Sequence, residues 1–213
     1  HKVTAVVFDK TGTITEGKPV LTDIRNYGII SEEETLALSA SAERGSEHPI
    51  ARAIVEAAEA GWLEIPQPDD FKAVPGRGID AAVGGRRVLA GNIKLMQENG
   101  IDTSAADEDA KALSGAGRTL MYIAVDGKLQ ALMAAADTVK PTSREAVAKL
   151  KSLGVSVYMI TGDNKSTAAA IAREVEIDNV LSEVLPGDKA SEVKKLQQSG
   201  HKVEMVGDGI NDA

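Results

Sequence analysis

Apolar positions along this chain follow two rhythms. Short runs rich in strand-forming residues occupy Val3–Phe8, Val155–Ile160, Val180–Val184 and Lys202–Val206. Among the last three lie segments with helical spacing. "AVAKLKSLG" follows the capping-box pattern Thr142-Ser-Arg-Glu145, and "KSTAAAIAREVE" and "KASEVKKLQQSG" come after it; glycines stop the first and third. Strand and helix alternating at this spacing predict βαβ units and a parallel sheet.

The stretch from Leu21 to Ala136 is patterned differently. Ser31, followed by three glutamates, caps a helix predicted through Arg44, and Pro49 suits the first turn of another running to Ala60. Alternating runs at Ile79–Val83, Arg86–Leu89, Leu120–Val125 and Leu129–Met133 predict antiparallel strands, with Asp126-Gly127 as a hairpin turn between the last two. The fold class expected is α/β, a parallel sheet whose first strand is followed by an inserted α+β unit. There is no internal repeat and no low-complexity segment.

Composition narrows this picture. The 213 residues suffice for two domains of about 100 residues each. Apolar residues make up 43 % but aromatics only 3 %, so the cores must rest on Ala, Val, Leu and Ile. A net charge of −8 argues against a nucleic acid or an anionic membrane surface as partner. The absence of cysteine excludes disulfides, thiolate metal sites and a thiol nucleophile. No apolar run approaches the roughly 18 residues of a membrane-spanning helix, so the chain itself is expected not to span a membrane. Its abrupt start and its stop at "GDGINDA" read as a soluble piece of something larger.

Three of the four candidate parallel strands end in a polar cluster: Asp9-Lys-Thr-Gly-Thr13, Thr161-Gly-Asp163 and Gly207-Asp208-Gly-Ile-Asn211-Asp212. Each alone reads equally as an ordinary turn. Together, at the carboxyl edge of a parallel sheet where ligands bind, they predict one convergent site. Carboxylates brought together repel unless a hard cation neutralises them, and Asp9, Asp208 and Asp212, with no His or Cys nearby, predict a magnesium site. Lys189 would add positive charge and Thr161 a hydrogen-bond donor for a phosphoryl oxygen. A carboxylate nucleophile, a cation, a lysine and a hydroxyl make a site for phosphoryl transfer through an aspartyl phosphate.

"DKTGT", "TGDN" and "GDGIND", in this order and spacing, resemble the phosphorylation domain of P-type ATPases, within the haloacid dehalogenase superfamily. The resemblance implies that Asp9 is phosphorylated and that Asp208 and the backbone carbonyl of Thr11 join it at Mg2+. It further implies that Thr161 and Lys189 contact phosphate and that Asp212 supports the site from behind. Phosphatases of the superfamily carry a second aspartate two residues after the nucleophile, as general acid and base. That position is Thr11 here, which cannot do this near neutral pH, so the acyl phosphate is expected to persist.

In the inserted region, His48 before the helix-starting Pro49 reads as a capping residue or as a ligand-binding one. Gly76-x-Gly78 is followed by strand-like alternation and not by a helix. It is therefore a weak dinucleotide fingerprint but a reasonable place for a ring or phosphate to approach bare backbone. "SEHP" and "PGRG" together resemble the nucleotide-binding domain of heavy-metal-transporting P-type ATPases, and "SEHPIARAI", "ITGDN" and "EVLPGDKASEVKKLQ" are most similar to copper-exporting members. By resemblance, Glu43 and His48 hold the adenine of ATP, with Gly76 and Gly78 beside ring and phosphates; Glu43 otherwise reads as a solvated helix end. "GRT" at Gly117 and Asp137 with Lys140 also fit the pattern, Asp137 reading equally as a strand-end turn. Glu204 departs from it, standing where a small residue is expected.

The expected organisation is a phosphorylation domain formed by residues 1–20 and 137–213, and a nucleotide-binding domain over 21–136. The implied protein is the cytoplasmic catalytic part of a metal-cation pump that binds ATP and Mg2+. Its partners would be an actuator domain and transmembrane helices outside this chain. The alternatives are a free-standing phosphatase of the superfamily and a nucleotide-binding module without catalysis.

Overall fold

The structure, a computed structural model, describes residues 3–207. Strand β1 (Ala5–Asp9) enters a tight turn over Lys10–Ile14, in which Thr11 (φ −73°, ψ 127°) and Gly12 (φ 74°) leave helical geometry. Strand β2 (Thr15–Asn26) then leads to α1 (Glu32–Glu43), α2 (Pro49–Ala60), β3 (Asp70–Val74), β4 (Gly78–Val83), β5 (Arg86–Gly91), α3 (Ile93–Glu98), α4 (Asp107–Gly115) and β6 (Thr119–Val125). The long β7 (Lys128–Val139) is followed by α5 (Ser143–Ser152), β8 (Ser156–Ile160), α6 (Lys165–Glu174), β9 (Asn179–Leu181), α7 (Lys189–Gln198) and β10 (Val203–Val206). Pro19–Ala136 form one compact unit, and the segments on either side of it form the other. Among the described residues no helix is long and apolar enough to cross a membrane.

The split unit holds a parallel sheet in the order β10-β1-β8-β9. Phe8 lies opposite Val206 and Asp9 opposite Ile160, so Asp9, Thr161 and Gly207 come to the same carboxyl edge. Val147, Val157, Met159, Ala168, Ile171 and Val175 pack together as its core, joined by Ile14 from the turn. Two local expectations are corrected here. The Thr142 capping box does not form: Thr142 has αR dihedrals and caps nothing, while Ser143 Oγ donates to Ile14 O at 2.8 Å. The strand expected over Val180–Val184 ends at Leu181, because Glu183 adopts φ +59° and Val184 turns back to donate to Thr161 O at 3.1 Å. Glu204 is exposed on β10, so its charge stays in water and its strand is not burdened by it.

The inserted unit is built on a six-stranded sheet in the order β2-β7-β6-β5-β4-β3. Alternate side chains of β4 to β7 face two cores. Ile79, Ala81, Val88, Ile123 and Met133 pack with Ile50 and Ile54 of α2. Leu89, Tyr122, Leu132 and Ala134 pack with Leu95, Met96 and Leu113 from α3 and α4. Helices cover both faces, which is why "LQALMAAA" in β7 is buried throughout and does not alternate. Ser31 accepts from Glu34 N at 3.2 Å and His48 caps α2 with Pro49 behind it, as their sequence signals require. Asp126 (φ 50°) and Gly127 (φ 81°) make the two-residue hairpin turn. The edge strands β2 and β3 were not legible. β2 contains Pro19 and is mostly polar, and β3 is exposed along nearly its whole length, both permitted only at a sheet edge.

Gly78 (φ +145°) lies so close to β5 that a Cβ would sit 2.1 Å from Ala90 O, whereas Gly76 (φ +69°) has nothing within 4 Å. Gly76→Ala is therefore expected to cost only the left-handed strain of roughly 1–2 kcal/mol. Gly78→Ala must push two strands apart and should cost clearly more. Urea denaturation of both variants checks this; equal losses would contradict the strand approach.

Candidate active site and ligand cleft

Chemistry-bearing residues gather in two places, one in each unit. At the carboxyl edge of the parallel sheet, Asp9 is 4 % exposed. Its Oδ1 accepts from Lys10 N at 2.8 Å and its Oδ2 lies 2.6 Å from Lys189 Nζ, at the start of α7. Burial of a carboxylate is tolerable only with such partners. Thr161, one residue past the partner of Asp9, is buried, and its Oγ1 accepts from Asp163 N at 3.1 Å, which leaves its own proton to donate.

Lys10 is the residue that sequence reasoning missed. It is 7 % exposed, with Nζ 2.9 Å from Asp163 Oδ2 and 3.6 Å from Asp137 Oδ2. Asp137 also accepts from Thr15 Oγ1 and from Gly17 N, while Lys140 Nζ donates to Gly12 O. The "DTVK" segment thus holds the turn after Asp9 through side chains, and Asp137 is more than a strand-end turn. A lysine within a short polar motif gives no sign of being buried, so only the fold reveals this role.

The donors present at this edge suit a hard cation. They are oxygens only: the Asp9 carboxylate and the carbonyl of Thr11 in its non-helical turn. The hydroxyl of Thr13 in the same turn is buried without a partner among the described residues. No group of three His, Cys, Asp or Glu side chains suited to a metal occurs among the described residues. Asp208 and Asp212 lie outside those residues.

In the inserted unit a cleft of about 580 Å³ opens at the α1–α2 turn, within the range of small-molecule sites. Glu43, His48, Gly76 and Gly78 all line it, with Phe71, Arg77 and Asn92 beside them. His48 caps α2 and lines the cleft as well. Its Nδ1 accepts from Ile50 N at 3.4 Å, so the neutral ring carries its proton on Nε2. Glu43 is not a solvated helix end: it is 2 % exposed, and its Oε2 has no partner among the described residues. Burial pushes its carboxyl up to about 7, against a smaller lowering by the Ser46 hydrogen bond. Gly76 closes the turn in which Arg77 N donates to Val74 O at 2.9 Å, and strand pairing, not a ligand, already demands glycine at 78. Phe71 went unrecognised because its edge strand carries no legible pattern.

Comparison with known proteins agrees in both units. The family described as "Hydrolase: haloacid dehalogenase-like hydrolase" matches residues 3–213. The chain is 47 % identical over its full length to the copper-exporting P-type ATPase of Bacillus subtilis (strain 168), of which it spans 27 %. It is 46 % identical to the copper-exporting P-type ATPase of Staphylococcus aureus (strain JH9), of which it spans 26 %, so it covers about a quarter of these relatives. The crystal structure of a zinc-transporting PIB-type ATPase in the E2.Pi state superposes on 99 % of this chain and 34 % of its own, with a TM-score of 0.89 and 39 % identity. The catalytic domain of the CPx-ATPase CopB-B matches 99 % of this chain and 75 % of its own, with a TM-score of 0.65 and 27 % identity.

Two substitutions probe these sites. Because the folded-state value of Glu43 lies above its unperturbed 4.5, the folded chain holds more protons between pH 4.5 and 7, and stability contributed by Glu43 falls as pH rises through that window. Glu43→Gln should remove this dependence, gaining on the wild type by roughly 1–3 kcal/mol above pH 7 and by nothing below pH 4.5, read from thermal unfolding across pH. Lys10→Met leaves Asp137 and Asp163 without their cation and should destabilise by about 3 kcal/mol in urea; a loss below about 0.5 kcal/mol would show that water serves these acids as well.

Proposed function

This chain belongs to the haloacid dehalogenase-like hydrolase family, and we propose that within it the chain is the ATP-binding and phosphorylated part of a P-type pump for a heavy-metal cation, copper in the first instance. The observation that carries the reading is the buried Asp9–Lys189 pair at the edge of a parallel sheet, followed by Thr11 where a hydrolytic acid would stand. The 47 % identity to a copper-exporting P-type ATPase supports copper over other metals. The rest of the pump, its membrane helices and the actuator domain that cleaves the phosphoenzyme, are partners outside this chain, which would work on the cytoplasmic side.

ATP docks its adenine in the cleft, with the Nε2–H of His48 as donor and the Glu43 carboxyl beneath it. At Asp9 a carboxylate oxygen forms a bond to the γ-phosphorus while the bond from that phosphorus to the bridging oxygen breaks. The electron pair leaves on the β-phosphate oxygen of ADP. Lys189 exchanges its contact with Asp9 for the phosphoryl oxygens as charge moves onto them, and Thr161 donates its hydroxyl proton to one of them. Asp9, the Thr11 carbonyl and Asp208 would hold Mg2+, which when bound would supply neutralisation of the phosphate charge. Thr11 carries no carboxyl to activate water, so the acyl phosphate outlasts the transfer step.

Asp9→Asn should abolish acid-stable labelling from γ-labelled ATP while ATP binding by calorimetry persists. His48→Ala should weaken ATP binding at least about tenfold. An Asp9→Asn protein that still labels, or rapid turnover of small phosphate esters by the wild type, would replace the pump with a phosphatase.

A further inference from the structure

The cleft at the α1–α2 turn is apolar where a base would lie, with Phe71, Val74, Ile79 and Met121 in its walls. Its charged groups are fewer and poorly suited to an anion. Glu43 and Glu47 are acids, His48 is a titratable ring, and Arg77 is the one Lys or Arg among the described lining residues. A triphosphate brings up to four negative charges, so whatever cation the cleft itself offers must come from Arg77.

Its setting suits that task. The backbone of Arg77 is held on both sides: its N–H donates to Val74 O at 2.9 Å, and its carbonyl accepts from Asn92 N at 2.8 Å. Asn92, the cap of α3, also donates through Nδ2 to Gly76 O at 2.9 Å. Gly91 comes so close that a Cβ there would stand 2.3 Å from Arg77 O. The backbone is therefore fixed while the side chain remains one-third exposed. Nε lies 3.0 Å from Glu98 Oε1 and Nη1 reaches Gly76 O at 3.5 Å, which occupies two of five N–H donors. Glu98 is about half exposed, so this is a water-screened pair that exchanges readily for a stronger partner.

We propose that Arg77 is a binding residue for the phosphate chain of the nucleotide, passing from Glu98 to phosphate oxygens when the ligand docks. This rests on the nucleotide reading of the cleft and adds to it the group that distinguishes nucleotide from nucleoside. The planar guanidinium meets two phosphate oxygens with parallel N–H donors, which a lysine in the same place cannot do. Glu98 then acts as a holder that keeps the guanidinium extended in the free protein.

The test is calorimetric titration of ATP, ADP and adenosine into the wild type, Arg77→Ala and Glu98→Gln. Arg77→Ala should weaken ATP and ADP by about 10- to 100-fold and adenosine by less than about twofold. Glu98→Gln should leave ATP affinity unchanged or raise it. Equal losses for adenosine and ATP in Arg77→Ala would mean that the residue only supports the cleft, and the proposal falls. It falls too if Glu98→Gln reproduces the Arg77→Ala loss, or if Arg77→Ala binds ATP as the wild type does. A wild type that binds none of the three ligands overturns the nucleotide reading itself, and this proposal with it.

Discussion

A carboxylate removed from water has to be matched by a cation and by donors, and the split unit is organised around doing this twice within a few residues. Asp9 meets Lys189 and a backbone N–H; Lys10, its neighbour in the chain, meets Asp137 and Asp163. The two pairings draw on residues from both ends of the sequence. The second pairing holds the turn after β1 against the segment that returns from the insertion. The first gives both carboxylate oxygens of the buried Asp9 a partner, Oδ1 the Lys10 N–H and Oδ2 the Lys189 ammonium, and so fixes its orientation.

The parallel sheet makes this possible. With β1 between β10 and β8, its carboxyl end has a neighbour on each side, and the loops that leave those strands bring Thr161 and Gly207 to the same edge. Lys189 arrives from α7 after the chain reverses at Glu183 and returns to Thr161.

The inserted unit meets a different demand. Helices cover both faces of its sheet, and a cleft opens where the turn between α1 and α2 meets the strands near Gly76 and Gly78. Here charge is left unmatched. Glu43 is buried without a cation among the described residues, and burial raises its pKa so that it keeps its proton to higher pH than an exposed glutamate does. A cation placed beside Glu43 would lower that value and make the floor of the cleft anionic.

Much of both units was legible from the sequence because its signals are local. Asp9 at the end of "AVVF", the glycine stops, and the helix starts at Ser31 and Pro49 follow from steric and hydrogen-bonding preferences within a few residues. The order of the three polar motifs carried the resemblance that the family match supports. What remained hidden depends on contacts across the chain. The edge strands β2 and β3 have too little buried surface to leave a periodic trace, and they exist because β7 and β4 offer them backbone partners. The Thr142 capping box failed because Ser143 found Ile14, more than a hundred residues away, as a better partner for the turn. The burial of Lys10 and Glu43 and the setting of Arg77 are of the same kind. By itself the sequence determined the local features: the buried strands, the capped helix starts and the polar motifs at the strand ends. Only the tertiary structure decided which charges leave water and what they meet there, because burial and ion pairing arise from residues that are distant in the chain.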